Sequence, residues 1–101
     1  MLEPKVEPVI DRLIHEPGRL AIMTVLSSVS DADFLFLQRT TGLTKGNLSA
    51  HLAKLEDAGL IEIHKRFIRK KPNTNVALTA EGKRRIADHW DQLERLKRLA
   101  R

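Results

Sequence analysis

The sequence predicts a mainly α-helical domain that carries one small antiparallel β hairpin, and three observations lead there. From Leu43 to Leu60 the chain reads LTKGNLSAHLAKLEDAGL, with Leu48, Leu52 and Leu55 at i, i+4 and i+7 on one helical face. After Gly59 the period shortens, and apolar residues alternate with polar ones through Leu60, Ile61, Ile63 and Phe67. From Thr79 the helical period returns in TAEGKRRIADHWDQLERLKRLA and runs almost to the end of the chain. At 101 residues there is room for a single domain spanning 1–101.

Taken in order, Pro8 suits the first position of a helix, where its missing N–H costs nothing. Val9, Ile10, Leu13 and Ile14 would give that N-terminal helix (1–16) an apolar stripe. Pro17 breaks the pattern, so the helix is expected to end near His15 or Glu16 and a second to begin at Pro17. Leu20 to Leu26 make the second helix apolar nearly all round, as befits the centre of a small bundle. Ser27 to Asp33 is a polar loop. Asp33 caps a short helix over Phe34 to Thr41, with Phe34 and Leu37 facing the core, and Thr41-Gly42 closes it.

Thr44 is the N-cap of the next helix (44–58) and Gly59 its left-handed terminator, with Leu60 packing back on the last turn. Two helices joined by a few residues that include a glycine form a helix-turn-helix. The outer face of the second carries Lys45, Gly46, Asn47, Ser49, Ala50, His51 and Lys54, with no acid before Glu56. Such a face can press against a polyanion, and the stretch reads as a DNA recognition helix. Gly46 serves either close helix packing or close approach of DNA.

The hairpin spans 61–78, with a turn expected over Arg69 to Asn75 and a short return strand at Val76 to Leu78. Five of the eight residues from His64 to Lys71 are Lys or Arg. Net charge is +5, but residues 1–37 hold three basic against six acidic side chains and the rest fifteen against seven. That asymmetry points to a nucleic-acid face on the second part of the chain. In the last helix (80–101) Ile86, Trp90, Leu93, Leu96 and Ala100 share a face. Trp90, Leu93 and Leu96, with Val6, Val9 and Leu13, present more apolar surface than one small core absorbs, and suggest dimerisation.

The segments HEPGRLAIMTVL (15–26), TTGLTKGNLSAHLAKLEDAGLIEI (40–63) and NTNVALTAEGKRRI (73–86) resemble winged helix-turn-helix transcriptional regulators of the MarR/ArsR-like kind, particularly the small stand-alone prokaryotic and archaeal versions. The resemblance implies that Lys45, Asn47, Ser49, Ala50 and His51 face the major groove. On chemical grounds Asn bonds adenine, Lys reaches guanine and Ala50 meets a thymine methyl. Thr44 and the helix N-terminus would hold a phosphate, as would Lys54 lower on the helix. Lys65, Arg66, Arg69, Lys70 and Lys71 would contact phosphates, one Arg reaching the minor groove. The resemblance also implies a homodimer, built by the terminal helices, that represses from a pseudo-palindromic operator in double-stranded DNA.

Other classes fit less well. With no cysteine there is no disulfide framework or thiolate metal site, and the histidines at 15, 51, 64 and 89 show no ligand spacing. His89 among Asp88, Asp91 and Glu94 reads as solvated surface. No nucleophile motif or Gly-rich phosphate loop is present, so neither an enzyme nor a cofactor is expected. The absence of a signal sequence or a bilayer-length apolar run fits a cytoplasmic protein. The alternatives are a winged-helix module that binds a protein partner, for instance through Leu35 and Phe36, or a nonspecific architectural DNA-binding protein. Nothing in the sequence identifies an effector.

Overall fold

The structure, a computed structural model, describes residues 10–100. Among them the order is α1 (Pro17–Ser27), β1 (Ala32–Asp33), α2 (Phe34–Thr41), α3 (Lys45–Asp57), β2 (Ile61–Ile68), β3 (Lys71–Leu78) and α4 (Ala80–Leu99). The antiparallel sheet has the order β1-β3-β2. This is a winged helix with a long C-terminal helix, as expected.

Local chemistry sets most boundaries. Pro17 opens α1, and the Glu16 carboxylate caps it by accepting from the Arg19 N–H at 2.8 Å. Asp33 caps α2 by accepting from the Phe36 N–H at 2.8 Å, and Gly42 ends it at φ 72°. Thr44 Oγ1 accepts from the Asn47 N–H at 3.1 Å to start α3, and Gly59 leaves it at φ 76°. Thr79 Oγ1 accepts from the Gly82 N–H at 3.0 Å to cap α4. The same hydroxyl donates to the Gly59 carbonyl at 2.7 Å, so one threonine ties the start of α4 to the end of α3.

One core unites these elements. Ile22, Met23 and Leu26 of α1, Leu37 of α2, and Leu48, Leu52 and Leu55 of α3 are buried with Leu60, Ile61, Val76 and Ile86. The stretch Ala32–Asp33, expected as loop, is a strand because it pairs with Val76 and Asn75 of β3. A two-residue strand has no period of its own to display.

The helix expected to start at Pro8 is not helical over residues 10–16; residues 12–14 form a turn instead. Asp11 stabilises it, its carboxylate accepting from the Leu13 and Ile14 amides. Asp11 also pairs with Arg85 of α4 at 2.8 Å, and its N–H donates to Gln92 Oε1 at 3.3 Å. Burial pushes the Asp11 carboxyl up, but Arg85 and the two amides outweigh it and hold it below its ordinary value. Ile14 is buried in the core and Leu13 is half-buried against it. Val6 and Val9 lie outside the described residues.

His89 is not solvated surface. It is fully buried, with its Nε2 3.3 Å from His15 Nδ1 and its Nδ1 without a partner among the described residues. A position one turn after Ile86 looks inward whatever the polarity of its neighbours. Burial lowers the His89 pKa, the nearby His15 lowers it further, and Asp11 opposes both. The unfolded chain therefore takes up this proton at a higher pH than the folded one does. The stabilisation is fully present above about pH 6.5, the ordinary value for histidine, and is lost as pH falls from there toward the folded pKa. We expect urea denaturation midpoints to fall between pH 8 and pH 5 and the His89→Leu variant to lose that slope. An equally steep slope in the variant would assign it to other groups.

Candidate nucleic-acid interface

Helix α3, expected to be the recognition helix, is seated by its buried leucines, so its opposite face is fixed by periodicity. Lys45, Gly46, Asn47, Ser49, Ala50 and Lys54 are all exposed, as is the capping Thr44. A Cβ added at Gly46 would meet nothing within 4 Å. Close helix packing is therefore not the reason for this glycine. Its open side faces outward, among the polar residues.

His51 behaves differently from its neighbours. It is half-buried, with Nδ1 3.2 Å from the Arg19 guanidinium and Nε2 3.6 Å from the Glu16 carboxylate. The Arg19 amide, held at the same carboxylate, keeps the Glu16 pKa below its ordinary value, helped by the charge of His51. Gly18 makes room for this ring, since a Cβ there would lie 2.7 Å from His51 Nε2. Position 51 lies three residues after Leu48 and four before Leu55, so it flanks the buried stripe rather than opposing it.

The hairpin is longer and tighter than the expected loop. β2 and β3 are eight residues each, joined by Arg69 and Lys70 alone. Both turn residues have positive φ, 51° and 65°, which a two-residue turn needs to match the strand twist. Neither is Gly or Asn, so the geometry costs about 1–2 kcal/mol per residue. Pro72 to Asn75, expected in the turn, lie inside β3. Pro72 pairs with Phe67, next to the closing pair Ile68 and Lys71, at a position where the ladder asks for no N–H.

From Ile63, the last core-packed residue of β2, the hairpin extends about 17 Å to its tip. Lys65, Arg66, Arg69, Lys70 and Lys71 are exposed along it, Arg66 held across the strands by donating to Asn73 Oδ1 at 3.2 Å. Between this wing and the helices runs an open groove of about 870 Å³. Lys45, Ser49 and Ala53 of α3 line it, facing Lys65, Pro72 and Thr74 of the wing. Gln38 of α2 lines the same groove and escaped sequence reasoning, because α2 was read only for its core face. Leu35 and Phe36 of α2 are exposed rather than core residues.

Away from this face, Trp90 is 43% exposed and borders a shallow depression with Leu26, Val29 and Ile86. Leu93 and Leu96 are half-buried and Leu99 is exposed along the same helix. Among the described residues no group of three or more His, Cys, Asp or Glu could hold a metal ion, and no helix is long and apolar enough to cross a membrane.

The winged helix DNA-binding domain family matches residues 19–97. An uncharacterized protein of Methanocaldococcus jannaschii is 34% identical over 72 residues, 71% of this chain and 78% of that protein. A transcriptional regulator homologue from Pyrococcus horikoshii OT3 superposes with a TM-score of 0.79 at 31% identity, over 85% of each chain. A MarR family transcriptional regulator from Silicibacter pomeroyi DSS shares the fold, with a TM-score of 0.70 at 19% identity, over 85% of this chain and 56% of that one.

Proposed function

The chain belongs to the winged helix DNA-binding domain family, and from that premise we propose that it is a MarR-like transcriptional regulator, a homodimeric repressor occupying a pseudo-palindromic operator. One observation carries the reading: the exposed side of α3 from Lys45 to Lys54 holds no acid and stands beside a projecting hairpin that bears five cations, Glu56 entering the groove only toward the far end of the helix. Asn47 and Lys45 supply base-reading chemistry, with Ser49 and Ala50 beside them. Thr44, Lys54 and the wing cations hold phosphates, and Gly46 lets the duplex approach the helix backbone. His51 is left out of this contact set, because its ring nitrogens face Arg19 of α1 and the capping Glu16. We assign it to seating α3.

The dimer is proposed to form through α4 and residues 1–16, with Trp90, Leu93 and Leu96 at its centre. Val6 and Val9 would extend it, while Leu13 is already half-covered by its own domain. A two-fold pair would place its recognition helices about one helical turn apart on DNA.

Binding to genomic fragments across a salt series tests the reading. One fragment should bind far better than bulk DNA at physiological salt. Asn47→Ala should reduce that preference by ~1–3 kcal/mol, and Lys70→Ala should weaken all fragments and flatten the salt slope by about one unit. Uniform, salt-labile binding would point to an architectural protein instead. No binding at low salt would sink the DNA reading altogether.

A further inference from the structure

The wing carries a feature that phosphate binding does not need. Phe67 is 76% exposed, the most open of the large apolar residues among the described ones, and it sits one pair from the tip. Across the ladder it faces Pro72 at a non-hydrogen-bonded position, where opposed side chains approach most closely. Register places Phe67 and Pro72 on the same sheet face as Lys65 and Thr74, the face that borders the groove beside α3. The surroundings are cationic: Lys65, Arg66, Arg69, Lys70 and Lys71 flank it, and no acidic residue occurs between Glu62 and Glu81. An exposed aromatic amid five cations suits a partner that offers negative charge outside and flat apolar surfaces inside. Duplex DNA does, once a base step opens.

We propose that Phe67, backed by Pro72, is a wedge that enters the minor groove beside the recognition site, partly unstacks one base step and bends the duplex. The inference rests on the DNA-binding reading and adds deformation of the DNA to it. The minor groove, about 6 Å wide, excludes the hairpin backbone but admits side chains from its tip. Apolar wedges of this kind kink DNA by ~20–90°. The wedge would confer preference for easily unstacked pyrimidine–purine steps at a position that the recognition helix never touches. Pro72, directly across the ladder, is the near neighbour of the ring.

The test is bending, measured by energy transfer across an end-labelled duplex carrying the genomic fragment that the wild type binds best, with 2-aminopurine scanned through the flanking steps. Wild type should bend the duplex and brighten one flanking position. Phe67→Ala should abolish both and weaken binding ~10-fold with an unchanged salt slope, whereas Phe67→Leu should keep much of the bend. Lys70→Ala should do the opposite, flattening the slope while the bend remains. Because the side chain is exposed, the thermal midpoint of Phe67→Ala should match wild type. Tight binding by wild type without bending, or equal bending by Phe67→Ala, would overturn the wedge and leave the DNA reading intact. Absence of any duplex binding would remove both. Binding of wild type but not Phe67→Ala to phosphatidylserine vesicles, with no bend in DNA, would overturn the wedge and assign the tip to a lipid surface.

Discussion

Replacing Gly82 by alanine should destabilise the domain by ~3 kcal/mol or more, a large loss for the addition of one methyl group. Helix propensity alone predicts the opposite, because alanine in a helix is favoured over glycine by ~1 kcal/mol. The reason is contact. Gly82 lies in the first turn of α4, and a Cβ there would overlap the Leu60 carbonyl oxygen and crowd the Leu78 side chain. That carbonyl cannot yield, since it accepts from the Thr79 N–H at 3.0 Å and belongs to a residue buried in the core. Relief would require α4 to lift away and break the bonds from Thr79 to the Gly59 and Leu60 carbonyls that join it to the end of α3. Gly46→Ala is the matched control, since the added methyl meets nothing within 4 Å. It should raise stability by up to ~1 kcal/mol while impairing DNA binding. Urea unfolding of the two variants decides the matter, and equal effects would refute the packing account.

Trp90→Glu should convert the proposed dimer to a monomer and lower affinity for a two-half-site operator by ~100-fold or more. The indole is 43% exposed beside Val29, Leu26 and Ile86, so in an isolated chain the carboxylate would reach water without harming the core. In an interface it would be a buried, unpaired charge, which is what makes the substitution strong. Most of the operator loss arises because linked half-sites raise one another's effective concentration, an advantage that a monomer lacks. Binding to an isolated half-site should be nearly unchanged, which separates lost pairing from a damaged recognition helix. Trp90→Phe should keep the dimer. Sedimentation at micromolar concentration reads the outcome, and an undiminished Trp90→Glu dimer would exclude this part of α4 from the interface.

The helices were legible in the sequence because each carries its own punctuation. Asp33 and Gly42 bracket α2, Thr44 and Gly59 bracket α3, and Thr79 opens α4, all through bonds within a few residues. What stayed hidden depends on distant partners. Ala32–Asp33 is a strand only because Val76 and Asn75 lie opposite. The wing turn was drawn too long because Pro72-Asn73-Thr74-Asn75 looks like a turn, whereas Arg69-Lys70, which makes it, lacks the usual Gly or Asn. The exposed α3 residues followed from periodicity, yet the same periodicity, applied strictly, would have set His51 apart. His89 needed no partner to be foreseen as inward, only trust in its spacing from Ile86 over the polarity of its neighbours.

The segment before α1 holds α4 through Asp11–Arg85 and His15–His89, and its Glu16, together with Arg19 of α1, holds α3 through His51. A few residues thus clamp both helices, so loosening the grip on α4 should also loosen the seat of α3.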